Sequence, residues 1–334
     1  MLVNCGRFPS FRLLRWSAAY LVFLVLLWLT ERWIGERHWL TMELTYLPQQ
    51  WFALPLVALV PLAAARRDTR ALALQMASVM VLLFPLLGVR LNLPQAGKPD
   101  IRVMTLNIEA EAGGAAGILR LIGDEKPDVV CLQEATRNIW VPDSPPTPAL
   151  LAGLHTRYHV RRFGHLLIAS RWPISDIRSV PLVGMPPQRP LVLTRAETPA
   201  GPLTLMTVHL LPIGWRADYT RRSYFSPADM AAAAEFRRSQ VATILRVCSE
   251  TRGPLILCGD FNMASRGPLF ARLSRELADG FGRAGWGAGH TCPERWPLRR
   301  IDHVFARGLE PVGTHVPVTR VSDHRPMVVD LRWR

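Results

Sequence analysis

The chain contains little cysteine, and none of its 5 cysteines is spaced C-x-x-C from another. That absence excludes the common zinc-binding and dithiol redox motifs. Cys131 and Cys258 lie inside apolar, strand-like runs, where we expect them to be small core residues. No segment of the sequence repeats along the chain, which excludes a repeat architecture.

Lysine is also scarce, because only Lys98 and Lys126 occur among the 40 basic residues. Arginine therefore carries almost all of the positive charge, and GC-rich coding alone produces such an excess. The net charge of +14 permits binding to phosphate, anionic lipid or nucleic acid. It selects none of these partners by itself.

The N-terminal part of the chain has three stretches without charge, each bounded by charged residues. They are the segments 16–30, 44–65 and 71–89. A membrane-spanning helix needs about 20 apolar residues, so the first stretch is long enough only if Leu13 and Leu14 extend it and Arg15 snorkels. No small-residue cleavage site follows it, so a removed signal peptide is not indicated. We predict that residues 1–90 anchor the chain in a lipid bilayer through three transmembrane helices.

The placement of arginine in the connecting loops predicts the orientation of these helices. Basic residues precede the first span and separate the second from the third: Arg7, Arg12, Arg15, Arg66, Arg67 and Arg70. The loop between the first two spans instead mixes arginine with glutamate. Because basic residues in short loops stay in the cytoplasm, three spans place everything beyond a linker at 91–99 on the other side. In a bacterium, this is an inner-membrane protein with a periplasmic domain.

Residues 100–334 have the pattern of an α/β domain. Seven short apolar runs punctuated by Gly, Pro and Asp predict strands: DIRVMTLNIE, DVVCLQEA, GHLLIASRWP, GPLTLMTVHL, GPLILCGDFN, RIDHVFARG and RPMVVDLRW. Apolar residues at helical spacing predict one helix around 118–122 and another over 228–249. The proline-rich segments 141–149 and 181–190 are predicted loops. Alternating strands and helices imply buried sheets covered by helices.

Polar side chains recur where these apolar runs begin or end. They are Asn107, Gln133, Glu134, His209, Asp260, Asn262, Asp302, Asp323 and His324. Strand ends that meet loops are where α/β proteins collect their reactive groups. A single strand-end Asn commonly caps a turn, and a lone His commonly packs, but turn chemistry does not explain the whole series. Asp260 and Asn262 are two residues apart, so an extended backbone points both to one face.

The ordered motifs LN, LQE, VHL, GDFN, IDH and SDH, from 106–107 to 322–324, resemble those of the endonuclease/exonuclease/phosphatase superfamily. This superfamily includes DNase I-like nucleases, abasic-site endonucleases, inositol-polyphosphate phosphatases and bacterial sphingomyelinases. The resemblance covers about residues 100–334, and the N-terminal part looks similar to that of bacterial membrane-anchored members. It implies a DNase I-like four-layer α/β sandwich, with two facing β-sheets and helices outside.

The resemblance also implies a divalent metal ion, Mg²⁺ or Mn²⁺. Glu134 would be its principal ligand, with Asn107 close by and Asp323 as a second carboxylate near the ion. A hard cation held by few protein oxygens keeps waters and takes the substrate phosphate as a further ligand. It neutralises charge that grows on the phosphate oxygens.

The remaining residues would carry the catalysis that the resemblance implies. Asp260 would orient or deprotonate the attacking water, and Asn262 and His209 would donate hydrogen bonds to phosphate oxygens. His324 would be the acid–base or charge-stabilising imidazole, which Asp302 orients. The chain departs from the family pattern at three positions, Glu109, Cys292 and His303, and none of them is a principal catalytic residue.

The segment 211–227 interleaves aromatic residues with arginine. We assign substrate contacts to Trp215, Arg216, Tyr219 and Arg222. Such a mixture suits stacked bases and backbone phosphates. It equally suits lipid headgroups, and an ordinary packed surface loop is as good an interpretation as either.

Three functions follow from these patterns. The first is a nuclease-like, Mg²⁺-dependent phosphodiester hydrolase outside the cytoplasm. The second has the same chemistry but acts on a phospholipid or another membrane-borne phosphoester. The third is a catalytically silent, membrane-tethered binding protein, which the retention of every principal polar residue argues against.

Overall fold

The computed structural model describes residues 10–93, 95, 97–138, 144–184, 189–212 and 227–334. The helices are α1 (Ser10–Trp33), α2 (Trp39–Tyr46), α3 (Leu54–Ala65), α4 (Thr69–Val81), α5 (Ala115–Glu125), α6 (Pro148–His155), α7 (Pro227–Glu250), α8 (Pro268–Glu276) and α9 (Gly280–Ala284). The strands are β1 (Arg90–Leu91), β2 (Ile101–Asn107), β3 (Val129–Gln133), β4 (His159–Phe163), β5 (Leu166–Ser170), β6 (Arg178–Val180), β7 (Leu191–Thr198), β8 (Gly201–His209), β9 (Leu255–Asp260), β10 (Ala278–Asp279), β11 (Trp286–Gly287), β12 (Asp302–Arg307), β13 (Leu309–His315) and β14 (Met327–Trp333).

Residues 10–86 form the N-terminal helical region. α1 is continuous, so Leu13 and Leu14 do extend the first apolar stretch. Two helices, Arg12–Trp33 and Thr69–Leu86, are long and apolar enough to cross a membrane. A third span results if a bent pair of helices counts as one.

That bent pair is the second predicted span, which is not one straight helix. The break lies at Leu47 and Pro48, and the halves Trp39–Tyr46 and Gln49–Ala65 are bent by 76°. The second half begins with a 3-10 turn over Gln49–Ala53 that leads into α3. Proline disfavours helical backbone in the residue before it. Leu47 precedes Pro48 and is accordingly extended, with ψ 146°.

Two six-stranded sheets form the body of the rest of the chain. One has the strand order β10-β12-β9-β8-β7-β6 and the other β13-β14-β2-β3-β5-β4. Buried apolar side chains from both sheets meet in one core between them. α7 and α8 cover the outer face of the first sheet, and α5 and α6 cover that of the second. The predicted four-layer sandwich is confirmed.

The predicted strands and helices of this domain are all present, and six further strands appear among the described residues. The sequence pattern did not indicate β4, β6, β7 or β13, nor the two-residue strands β10 and β11. The predicted loop at 141–149 is wrong at its end, because Pro148 begins α6. Proline is tolerated at the first position of a helix, and the Thr147 hydroxyl caps this one by accepting from the Leu150 N–H.

The N-terminal helical region packs directly against the sandwich. Glu31, near the end of α1, forms a buried ion pair of 2.8 Å with Arg266, which lies between β9 and α8. Gln50 donates a hydrogen bond to the carbonyl of Leu298, and β1 pairs antiparallel with β11. Met42 and Tyr46 of α2 also pack on Met230 and Ala234 of α7, so the helices and the sandwich share a polar as well as an apolar interface.

Candidate active site

The predicted site residues lie where two parallel strand pairs end. β2 and β3 run parallel in one sheet, with Asn107 opposite Gln133. β8 and β9 run parallel in the other, with His209 opposite Asp260. Asp302, the first residue of β12, is also opposite Asp260. Because the two sheets face each other, both pairs deliver their last residues to one edge of the sandwich.

Asp260 lies at the centre of this edge and is only 1% exposed. Its Oδ2 accepts from the side-chain amides of Asn107 and Asn262, each at 3.2 Å. Its Oδ1 accepts from the backbone N–H of Asn262 at 2.8 Å. The Asn107 amide also donates to Glu134 Oε1 at 3.2 Å. One amide therefore bridges the two carboxylates.

His324 and Asp302 form a buried pair, with 2.8 Å between Nδ1 and Oδ2. The other ring nitrogen, Nε2, faces Asp260 Oδ2 at 3.8 Å. Ser322 fixes the turn that carries the imidazole. Its hydroxyl donates to the Asn107 carbonyl at 2.6 Å and accepts from the His324 N–H at 3.2 Å.

Burial and neighbouring charges shift the pKa values of these groups. Burial raises the pKa of Asp260 to about 7, with His324 opposing the rise and Asp302 adding to it. Burial alone would lower the pKa of His324, but Asp302 and Asp260 outweigh it and raise that pKa well above its usual value. A carboxylate with a pKa near neutrality is matched to proton transfer at neutral pH.

His209 is held in its neutral form. Burial lowers its pKa well below the usual value, and Arg189 and His165 lower it further. Its Nε2 faces Asp260 Oδ2 at 3.5 Å and Glu134 Oε1 at 3.8 Å, while its Nδ1 lies 3.2 Å from His165 Nε2. Because carboxylates face Nε2, the single proton belongs there, and Nδ1 accepts from His165.

Asn262 uses its amide within the protein. Its Nδ2 donates to the Leu210 carbonyl at 2.7 Å as well as to Asp260. In this arrangement it orients the Asp260 carboxylate, and contact with a phosphate oxygen requires it to exchange one of these acceptors. Asn262 and Glu134 both have left-handed backbone, with φ 46° and 52°. Non-glycine residues adopt this conformation rarely, and it is common at functional sites.

Two neighbouring groups of side chains offer ligands to a cation. One ligand atom from each of Asp260, Asp302 and His324 lies within 4.8 Å of the others. Asp302 and His324 already share a hydrogen bond, and a metal bound to His324 would have to displace the ring proton that its raised pKa favours. Glu134 fits a cation better. Burial raises its pKa and Asp323 adds to the rise, so a positive ion would relieve the crowding of negative charge.

Asp323 and Glu109 lie at the rim of the site. The backbone N–H of Asp323 donates to Glu109 Oε2 at 3.0 Å, and burial together with the Asp323 charge raises the pKa of Glu109. Glu134 and Asp323 offer carboxylate oxygens of the kind that Mg²⁺ or Mn²⁺ prefers, whereas Asn107 turns its amide nitrogen toward Glu134. Asn107 Oδ1 accepts from the Glu109 N–H at 3.1 Å.

The structure adds residues that the sequence did not indicate and leaves others aside. His165 and Arg189 act on His209, as described above. Gln133, which ends a predicted strand, instead bonds Thr105 and Thr207 in the core. The predicted substrate contacts Trp215, Arg216, Tyr219 and Arg222 lie outside the described residues and stay predictions.

Comparison with known proteins supports the fold. A segment of 81 residues is 37% identical to a UPF0294 protein of Yersinia pseudotuberculosis, covering 24% of this chain and only 30% of that relative. An endonuclease/exonuclease/phosphatase from Bacteroides vulgatus has a TM-score of 0.54 at 18% identity, over 71% of this chain and 100% of that one. The 3′ phosphatase NExo from Neisseria, bound to product DNA hairpin, has a TM-score of 0.52 at 19% identity, over 70% and 100%.

A sequence profile described as Endonuclease/Exonuclease/phosphatase family matches residues 104–324. That range begins within β2, ends at His324 and contains the site ends of both parallel strand pairs described above. The solved structures are too distant in sequence to show more than the fold, but the profile covers most of the chain. The chain therefore belongs to the endonuclease/exonuclease/phosphatase family, whose members hydrolyse phosphoester bonds.

Proposed function

We propose that this protein is a membrane-anchored, nuclease-like phosphodiester hydrolase that requires Mg²⁺ or Mn²⁺ and acts outside the cytoplasm. The observation that supports the reaction best is the buried row Asp302, His324 and Asp260, in which the last carboxylate has a pKa of about 7. Hydrolysis by water needs an acceptor for the water proton and positive charge beside the phosphoryl group. This row offers both.

The residues of the row, together with His209, have separate tasks in the reaction. Asp260 orients the attacking water and accepts its proton. His324, kept protonated by Asp302, stabilises negative charge on the phosphoryl group or gives a proton to the leaving oxygen. His209 presents its neutral Nε2–H toward the space beside Asp260 and Glu134, where it donates to a phosphate oxygen.

Glu134, Asn107 and Asp323 would hold the divalent cation. When bound, the cation neutralises charge on the phosphate oxygens. The fit rests on the chemistry of this donor set, which contains carboxylate and amide groups and no thiolate. Burial raises the pKa of Glu134, and the Asp323 charge adds to the rise; a cation beside Glu134 would favour its ionised form.

Chelation of the full-length protein in detergent micelles tests this proposal. EDTA should abolish hydrolysis of bis-p-nitrophenyl phosphate, and added Mg²⁺ or Mn²⁺ should restore it. Glu134→Gln removes a proposed ligand and should raise the Mg²⁺ concentration for half-maximal rate by at least the roughly 10- to 100-fold that loss of an outer-shell partner costs. Activity that survives complete chelation would contradict the metal dependence.

Nucleic acid is the substrate class we favour. Beyond the basic charge of the chain, the support is the fold shared with the Neisseria 3′ phosphatase, whose structure contains product DNA.

A lipid phosphoester is the second candidate, and the segment 292–299 favours it. Glu294 donates its N–H to the Asp323 carbonyl at the site, and Leu298 accepts from Gln50 of the N-terminal helical region. Between them, Trp296 is 72% exposed. An exposed Trp next to apolar helices suits the interface of a bilayer.

Two assays on the same purified protein separate these substrates. One measures degradation of linear DNA, and the other measures headgroup release from phospholipid and sphingomyelin vesicles. Degradation of DNA with intact vesicles supports a nuclease. Headgroup release that Trp296→Ala reduces, at unchanged hydrolysis of bis-p-nitrophenyl phosphate, supports the lipid substrate. Failure of the wild-type protein on all three substrates would leave the silent binding protein.

A further inference from the structure

Arg237 of α7 is buried beside the active site and binds three backbone carbonyls. Its guanidinium donates to the carbonyls of Leu211 at 2.8 Å, Phe261 at 3.1 Å and Asn262 at 2.6 Å. The side chain is 4% exposed, so these bonds are shielded from water. Leu211 lies just after β8, and the other two carbonyls follow β9 directly. One side chain therefore ties together the ends of the two central parallel strands.

These bonds reach Asp260 through the backbone of Asn262. Asn262 has the left-handed conformation, and its N–H donates to Asp260 Oδ1 at 2.8 Å. The bonds from Arg237 to the carbonyls of Phe261 and Asn262 hold that conformation in place. They fix the direction from which the N–H meets the carboxylate, and hence the orientation of Asp260.

The fourth partner of Arg237 belongs to the N-terminal helical region. Its Nη2 donates to the Tyr46 hydroxyl at 2.9 Å, and the guanidinium lies 5.5 Å from the centre of the Tyr46 ring. Around this contact, Met42 and Tyr46 of α2 pack on Met230 and Ala234 of α7. A buried cation depends on each of its acceptors, so Tyr46 helps to set the position of Arg237.

A second buried arginine fastens the same region to the sandwich. Arg266 pairs with Glu31, and it also donates to the carbonyls of Thr45 and Leu86. Three separate segments of the N-terminal helical region therefore converge on one side chain of the loop that follows β9. The contact between α2 and α7 is part of a built interface.

We propose that the N-terminal helical region positions the Asp260 loop of the active site through Tyr46 and Arg237. Both are positioning residues, because they act through the backbone of Asn262. The region is thereby a component of the catalytic apparatus in addition to an anchor. This proposal rests on the proposed hydrolase function, so its test includes a measurement that does not depend on activity.

The test uses the full-length protein in detergent micelles. Tyr46→Phe removes the hydroxyl acceptor and keeps the ring, and Arg237→Lys keeps the charge and removes the planar fork. Tyr158→Phe is the matched control, because its buried hydroxyl donates to the Pro127 carbonyl at the opposite end of the sheet. Each variant is measured for kcat and KM on bis-p-nitrophenyl phosphate, for Tm, and for amide hydrogen exchange of the peptide 258–265.

We expect Tyr46→Phe to lower kcat by about 5- to 20-fold, the loss of roughly one hydrogen bond, with KM changed less than about twofold. Arg237→Lys should lower kcat further. Both should speed exchange in 258–265, whereas Tyr158→Phe should lower Tm without changing kcat or that exchange.

Unchanged kcat and unchanged exchange in both variants would overturn the coupling. A wild-type protein that hydrolyses no phosphoester would instead overturn the proposed function. In that case, faster exchange in Tyr46→Phe still supports the coupling, and unchanged exchange still rejects it.

Discussion

At the level of single residues, two histidines of one site reach opposite protonation states. Burial lowers the pKa of both, but His324 makes a 2.8 Å hydrogen bond to Asp302, and its pKa rises well above the usual value. His209 lies beside Arg189 and a second imidazole, and its pKa falls. The site thus has a charged donor and a neutral donor made from the same residue type.

The charged pair is testable by substitution. We expect His324→Ala and Asp260→Ala each to lower kcat by roughly 10²- to 10⁴-fold, because each removes a group that takes part in proton transfer. Asp302→Asn should cost less, since it misorients His324 without removing it. His315→Ala, on an exposed part of β13, is the control. Near-normal turnover of His324→Ala would show that the Asp302–His324 pair is structural.

His303 shows a different consequence of burial. It packs among the rings of Phe261, Phe270 and Phe305, and its Nε2 lies 2.8 Å from the Met263 carbonyl. Burial lowers its pKa from 6.5 to about 4. Between these values the unfolded chain binds a proton that the folded chain does not, so folding stability falls as the pH falls.

The loss should approach about 3 kcal/mol below pH 4. We expect His303→Phe to flatten the pH dependence of the free energy of unfolding between pH 6.5 and 4, because phenylalanine carries no titrating group. Urea unfolding across this range measures the effect. An equally steep loss of stability in the variant would assign the acid sensitivity to other groups.

Sequence reasoning found the site residues that belong to ordered motifs and missed those outside them. Asp260, Asp302 and His324 stand at the ends of recognisable strands. His165 also stands at the end of a predicted strand, so its position in the sequence could have indicated a site residue. Arg189 lies just before β7, and the antiparallel pairing of Val192 with Thr207 of β8 brings it toward His209 at the end of β8. The proline-rich sequence before Arg189 gives no hint of this pairing.

At the level of elements, β9 carries Asp260 only because a glycine precedes it. Gly259 has φ 142°, and a Cβ there would lie 2.0 Å from the Val208 carbonyl oxygen of the neighbouring strand. Any side chain would separate β8 from β9 at the point where they deliver His209 and Asp260. The GDFN motif therefore needs glycine at its first position because β8 and β9 pack too closely there for any side chain.

Gly259→Ala should lower the free energy of unfolding by about 2 kcal/mol or more, because of backbone strain and a clash with backbone. It should also lower kcat, since Asp260 is the next residue. Gly123→Ala is the control, because it lies in α5 with open space around it, and alanine favours helices by roughly 0.5–1 kcal/mol over glycine. Thermal unfolding of both purified variants measures the difference in stability between them. Equal stability would show that β9 can shift to make room.

The elements that the sequence predicted have long apolar runs, whereas most of the missed strands have other patterns; β7 is the exception, since it begins with the buried residues Leu191, Val192 and Leu193. β4 contains Arg161 and Arg162, β6 has only 3 residues, and β13 includes Pro311 and Gly313. β4, β6 and β13 lie at sheet edges, where fewer positions are buried. The break at Pro48 was visible as a proline, but its 76° bend depends on packing.

At the level of the whole molecule, the N-terminal helical region has one end at the sandwich. Glu31, Gln50 and Leu86 all contact it, although they belong to three successive segments. α3 leads away from this end for 12 residues, and α4 leads back over 13 residues. At 1.5 Å per residue, α3 is about 18 Å long, which separates the loop at residues 66–68 from the sandwich. The arginines of that loop therefore lie at the end remote from the active site.

This arrangement gives the orientation a direct test. Arg66, Arg67 and Arg70 favour the cytoplasm, so the sandwich, at the other end of the helices, should face the periplasm. Alkaline phosphatase fused after Arg334 should then be active and green fluorescent protein fused there dark, with fusions after Arg67 giving the opposite readout. A periplasmic site would meet extracellular nucleic acid, outer-leaflet lipid and envelope phosphoesters, but neither the chromosome nor soluble cytoplasmic phosphoesters. Bright fluorescence at Arg334 with inactive phosphatase would reverse the orientation and make cytoplasmic nucleic acid the favoured substrate.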